Sequence, residues 1–91
     1  MRIRAYATMR DVLGTGKIEV ALTEPTPIRQ VLRNLAEGCP EFGRKLWDGD
    51  GKLTGYITVF VNGRAVEYLN GLDTRVADDD TISLFPPVGG G

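Results

Sequence analysis

The stretch Thr26-Pro27-Ile28-Arg29-Gln30-Val31-Leu32-Arg33-Asn34-Leu35-Ala36-Glu37-Gly38 decides the fold class. Ile28, Val31, Leu32 and Leu35 recur at i, i+3, i+4 and i+7, so they share one face of a helix. Arg29, Gln30, Arg33, Asn34 and Glu37 fill the other face. Thr26 is placed to cap the start, and Pro27 stands where the first helical residue needs no N–H. Gly38 suits the C-terminal stop, and Pro40 prevents resumption.

On both sides of this helix the period changes from helical to alternating. Upstream, Ile3 and Ala5 alternate with Arg2 and Arg4, so residues 2–7 read as a half-buried strand. Thr8 to Gly14 reads as a connecting turn with a short helical piece through Met9, Val12 and Leu13. Ile18, Val20 and Leu22 then alternate with Lys17, Glu19 and Ala21, close enough to the first strand for an antiparallel hairpin. Downstream, Glu41 to Trp47 predicts a short helix with Phe42, Leu46 and Trp47 as its apolar residues. Asp48-Gly49-Asp50-Gly51 is a turn cluster. Tyr56 to Val61 is β-branched and aromatic throughout, the strongest strand signal in the chain. Asn62-Gly63 marks a tight hairpin, and Arg64 to Glu67 reads as the return strand. Tyr68 to Asp73 reads as an irregular crossing loop, Asp78 to Asp80 as a polar turn, and Thr81 to Phe85 as the last strand. The layout is α+β, with helices on one side of a mixed sheet.

Composition excludes several functions. The 91 residues fit one domain, 1–85, followed by a tail, 86–91. The net charge of −1 lacks the Lys and Arg surplus that nucleic acid binding requires. No apolar run is long enough to span a membrane. Met1-Arg2-Ile3-Arg4 passes directly into a strand pattern, so no signal peptide is expected and the cytoplasm is the default location. The chain has one cysteine and no histidine. It therefore cannot assemble a Cys–His or Ser–His pair or a structural zinc cluster, and a carrier or binding module is favoured over a stand-alone catalyst.

The composition breaks once, at Pro86-Pro87-Val88-Gly89-Gly90-Gly91. At about 7% glycine per position, three terminal glycines arise by chance in roughly 0.03% of chains. A frayed end or a cloning scar is the plain alternative. A Cβ-free carboxylate, however, can enter a narrow catalytic channel where any side chain would collide. Six extended residues span at most about 20 Å, enough to reach a buried site on another protein. Pro86-Pro87 favours polyproline geometry that projects the tail from the sheet, and the glycines give a flexible end for threading.

Phe85-Pro86-Pro87-Val88 followed by the three glycines resembles the MoaD/ThiS family of ubiquitin-like sulfur carriers. The Ile3–Tyr6 strand with Arg10-Asp11 and Gly14 resembles it too. So do Val59, Val61, Asn62 and Gly63 with their return strand, and the aspartate turn before the last strand. The departures are Gly89, where relatives often carry Ser, Thr or Ala, and the Tyr68–Thr74 loop. That loop is longer than in compact molybdopterin-synthase subunits and closer to small archaeal modifiers and to carriers used in cysteine synthesis. The resemblance implies a ubiquitin-like β-grasp of about five strands, with the main helix on one face and the first and last strands adjacent. It also implies a chemistry at the Gly91 carboxylate, with Gly90, Gly89, Val88, Pro87 and Pro86 as the threading segment. An E1-like adenylyltransferase, supplying ATP and Mg, converts that carboxylate to an acyl-adenylate. Sulfur attack then gives a thiocarboxylate, and amine attack gives an amide. The implied partners are that enzyme and the larger catalytic subunit of molybdopterin synthase, another sulfur acceptor (in cysteine, thiamine or thiolated tRNA synthesis), or target-protein lysines. No cofactor is expected to be held stably by the chain, which has no Gly-rich loop with a following Lys and Ser/Thr. The resemblance places Tyr6, Val66 and Phe85 at the partner surface.

Other features have plainer readings. Cys39 lies at a helix end without an activating neighbour and reads as structural. Asp48 and Asp50 lack the further ligands of a calcium loop, because Lys52 stands where the next should be. Tyr6, Phe60 and Phe85 are either core or an exposed aromatic patch. Alternation puts Phe60 on the face opposite Val59 and Val61. A β-grasp interaction domain with an idle tail is the reading from another class.

Overall fold

The computed structural model describes residues 1–86. Five strands form the main sheet: β1 (Arg2–Ala5), β2 (Lys17–Glu19), β4 (Thr58–Val61), β5 (Arg64–Ala65) and β7 (Thr81–Phe85). Their spatial order is β2-β1-β7-β4-β5. The first and last strands are adjacent and parallel, and the remaining pairs are antiparallel. The register sets Ile3 beside Ile82, Ala5 beside Leu84, and Leu84 beside Val59. Because side chains alternate along a strand, all of these fall on one face, where each is buried.

That face is covered by α2 (Ile28–Gly38) and α3 (Pro40–Leu46). Ile28, Val31 and Leu32 of α2 and Phe42 and Leu46 of α3 join the sheet residues in a single apolar cluster. Leu35 packs against it, half-buried. The mixed sheet with helices on one face is the ubiquitin-like β-grasp arrangement. Among the described residues, no helix is long and apolar enough to cross a membrane.

The structure corrects several local readings, each for a tertiary reason. Thr26 does not cap α2: its hydroxyl donates to the Glu24 carbonyl. Thr26 and Pro27 instead form β3, paired antiparallel with β6 (Arg75–Val76). The first helical N–H, on Ile28, donates to the Thr74 carbonyl at 2.8 Å. Pro27 therefore precedes the helix, and Pro40, which was expected only to block resumption, opens α3. Thr8–Leu13 is a complete helix, α1, entered through Ala7 at φ 51° and left through Gly14 at φ 76°. β2 ends at Glu19 because the chain then turns toward Asp78, whose carboxylate takes the Leu22 N–H.

The strand expected over 56–61 begins only at Thr58, which pairs with Phe85, the last residue of β7. The return strand stops at Ala65, and a 3₁₀ turn, Val66–Tyr68, follows. A second 3₁₀ turn, Gly71–Asp73, gives form to the crossing loop. At the hairpin, Asn62 and Gly63 both have positive φ, 51° and 85°. That is the type I′ geometry that Asn-Gly favours.

Candidate functional site

The outer sheet face is built by the residues that alternate with the core. Phe85 in β7 and Phe60 in β4 both point away from the helices and are half-buried. Tyr6 lies one residue past β1, and its N–H donates to the Leu84 carbonyl at 3.0 Å, extending the pairing. This brings its ring onto Phe85, with centroids 4.5 Å apart and planes 5° apart. Phe60 meets the same Phe85 ring edge-on at 5.3 Å and 86°. Offset stacks and edge-to-face contacts are the favoured aromatic pairings. An apolar groove of about 360 Å³ lies beside them, lined by Phe60, Gly63, Ser83 and Phe85. The aromatic residues thus form a half-buried patch on the outer sheet face and are not part of the core.

Val66 does not join this patch. It is 1% exposed and packs in the core: Ala65 lies opposite Phe60 on the outer face, so the next position, Val66, falls on the core face with Val59. The strand register brings Arg4 beside Ser83 on one side and Lys17 on the other, so a cationic strip borders the aromatic patch.

The turn before β7 holds that strand in place. Asp80 accepts the Ala77 N–H at 2.7 Å and the Asn62 side-chain amide at 2.8 Å. Asn62 in turn accepts the Thr81 N–H at 2.9 Å. The Ala77 N–H, then the Asn62 amide, hold the Asp80 carboxyl below the usual carboxylate range. Asp78 is lowered too, first by the Leu22 N–H and then by the Met1 ammonium, 3.0 Å away. Asp48 is lowered by the N–H groups of Lys52 and Asp50, so its carboxylate serves its own loop. The Cys39 thiol donates to the Val12 carbonyl, which ties α2 to α1.

Pro86 follows Phe85 and lies half-buried in a cleft with Thr8, Met9, Arg44, Lys45 and Tyr56. Arg44 and Lys45 were not singled out in the sequence, and Tyr56 was read there as the first residue of a strand. Pro87, Val88, Gly89, Gly90 and Gly91, expected to carry the reactive end, lie outside the described residues.

A β-grasp domain whose last strand leads from an aromatic sheet face into a glycine tail defines a ubiquitin-like protein. The chain belongs to the ThiS family, which matches residues 3–91. It is 38% identical over 92 residues to small archaeal modifier protein 3 of Haloferax volcanii, across 100% of this chain and 98% of that protein. It is 34% identical over 79 residues to a putative sulfur carrier protein of Archaeoglobus fulgidus, across 87% of this chain and 89% of that protein. Among solved structures, small archaeal modifier protein 1 of Methanosarcina acetivorans superposes with a TM-score of 0.83 at 29% identity. That superposition covers 99% of this chain and 94% of the other.

Proposed function

We propose that the chain is a sulfur carrier whose Gly91 carboxylate is activated by an E1-like adenylyltransferase. The observation that carries this reading is the family match extending through residue 91, which includes the glycine tail beyond the aromatic face. A carboxylate is a poor electrophile at neutral pH. Its oxygen attacks the α-phosphorus of ATP, pyrophosphate leaves, and the acyl-adenylate gains a good leaving group. Sulfide attack on the acyl carbon expels AMP and leaves a thiocarboxylate on Gly91. ATP and Mg belong to the enzyme, and this chain contributes the acceptor atom and the docking surface. Tyr6, Phe60 and Phe85 form the apolar anchor of that surface, and aromatic residues commonly dominate interface energetics.

We propose that the Gly91 thiocarboxylate donates its sulfur while the tail is inserted in the larger catalytic subunit of a molybdopterin-synthase-like complex. A second reading starts from the same adenylate: a protein lysine attacks in place of sulfide, and Gly91 becomes isopeptide-linked. The 38% identity to a small archaeal modifier along the whole chain favours keeping it. Intact mass of the protein isolated from its own host tests both. Thiocarboxylate formation adds about 16 Da, whereas conjugation gives much heavier species. Finding only the unmodified mass, under conditions where the activating enzyme is present, counts against both.

A further inference from the structure

The cleft at the root of the tail is built by contacts that bring distant residues together. Thr54 is the tie. Its hydroxyl donates to the Lys45 carbonyl at 2.6 Å and accepts the Tyr56 N–H at 3.1 Å, and its own N–H donates to the Leu46 carbonyl at 3.0 Å. The loop after α3 is thereby folded back on the helix end, which sets Tyr56 beside Lys45. Pro86, where the tail begins, lies against the same residues in a cleft of about 230 Å³.

Two features of this cleft bear on what it meets. Tyr56 is 66% exposed, one of two large apolar side chains left so open among the described residues. Arg44 and Lys45 are also exposed and are engaged by no carboxylate among the described residues. The ion pairs there are Met1–Asp78, Arg2–Glu19 and Arg29–Asp73. Glu41, one helical turn before Lys45, does not reach it. Cations near a helix C-terminus can serve the helix by meeting its free carbonyls. Here Thr54 already satisfies those of Lys45 and Leu46. Two cations without an ion pair among the described residues and an open aromatic ring thus surround the point where the tail leaves the domain.

We propose that Arg44, Lys45 and Tyr56 dock on a carboxylate-bearing rim around the mouth of the channel that accepts the tail. The proposal rests on the carrier reading and specifies the partner surface for that site. The length of the tail chooses protein carboxylates over nucleotide phosphates. Residues 86–91 reach about 20 Å when extended, so with Gly91 at the reacting phosphorus the cleft stands at the channel entrance, far from ATP. A partner rim with Asp or Glu opposite Arg44 and Lys45, and an apolar or planar contact for Tyr56, matches the cleft in charge and chemistry. Rim charges act mainly on encounter rate and salt dependence, so the cleft governs capture of the tail and not the chemical step.

The test is adenylate formation with the purified activating enzyme of the same host, read as pyrophosphate release at varied carrier concentration. Arg44→Glu with Lys45→Glu should raise KM about tenfold at low ionic strength and leave kcat in place, with the difference shrinking as salt screens the charges. Tyr56→Ala should raise KM by about threefold. The conservative pair, Arg44→Lys with Lys45→Arg, should restore KM. Arg33→Glu with Arg75→Glu makes the same change in net charge on α2 and β6 and should leave KM unchanged. A carbodiimide should join the Lys45 amine to an Asp or Glu of the enzyme, located by peptide mass. If the wild-type chain is adenylated and the Arg44/Lys45 reversal leaves KM unmoved, or moves it no more than the Arg33/Arg75 pair does, the docking proposal is wrong. If the wild-type chain is not adenylated at all, the carrier reading fails, and this proposal with it.

Discussion

Leu84 and Phe85 are neighbours in β7 that face opposite sides of the sheet, and replacing each by Ala should produce opposite patterns of damage. Leu84 is fully buried among core side chains. Its truncation removes transfer energy and leaves a cavity, a loss of about 2–5 kcal/mol. Phe85 is half-buried and touches Tyr6 face to face and Phe60 edge to face. Each such pair contributes about 0.5–1.5 kcal/mol, so Phe85→Ala should cost about 1–3 kcal/mol. A small domain with about 5 kcal/mol or more of stability remains folded after that loss. Binding should respond in the reverse order. An aromatic anchor at the centre of an interface is worth about 2 kcal/mol or more, which is about thirtyfold in Kd. Urea unfolding measures the first effect, and titration with the activating enzyme the second. Folded Phe85→Ala that binds the enzyme as tightly as wild type would remove Phe85 from the interface, and a larger stability loss for Phe85→Ala than for Leu84→Ala would place it in the core instead.

Leu32 is fully buried on the sheet-facing side of α2, so Leu32→Ala should lower unfolding free energy by about 2–5 kcal/mol. A loss below about 0.5 kcal/mol in urea unfolding would remove it from the core. Asp80 has a carboxyl held low in the folded state by the Ala77 N–H and the Asn62 amide. A depressed folded pKa means its contribution is fully present above the unfolded value, about 3.9, and is lost as pH falls through the lower folded value. Asp80→Asn should therefore lower Tm near neutral pH, with the difference from wild type narrowing in acid. A difference that stays constant across the acid range would contradict that linkage.

Local chemistry was legible in the sequence wherever a residue's neighbours in the chain determine its geometry. Asn62-Gly63 specifies a turn that needs positive φ at both positions, and both have it. The spacing of Ile28, Val31 and Leu32 fixes a helix face because the period belongs to the helix itself. Alternation likewise separated Phe60 from Val59 and Val61 before any partner strand was known. What the sequence did not reveal was set by partners far along the chain. Thr26 offers an ordinary cap, but pairing with Val76 holds it in an extended strand. Tyr56 looks like strand, but β7 ends at Phe85, opposite Thr58, and Pro86, which follows, has no N–H to extend the ladder. Val66 was placed at the partner surface by the resemblance alone, whereas alternation from Ala65, opposite Phe60, sets it on the core face with Val59. The glycine tail was readable as composition alone. The tail-root cleft was not, because Thr54 assembles it from residues 44, 45 and 56 through contacts that no spacing rule announces.

If Gly91 carries the reacting carboxylate, removing Gly90 and Gly91 separates folding from activation. Unfolding should be nearly unchanged, because terminal glycines bury little. Activation should disappear, because the carboxylate would stop about 7 Å short of the reacting centre, where about 1 Å of displacement already slows catalysis steeply. The measurement is ATP-dependent adenylate formation with the host's activating enzyme, followed by transfer of sulfur to the chain. The full-length chain should be adenylated, and the folded, shortened chain should not. If the shortened chain is adenylated and accepts sulfur at the full-length rate, both the carrier and the modifier readings are contradicted, and a β-grasp interaction domain with an idle tail is what remains.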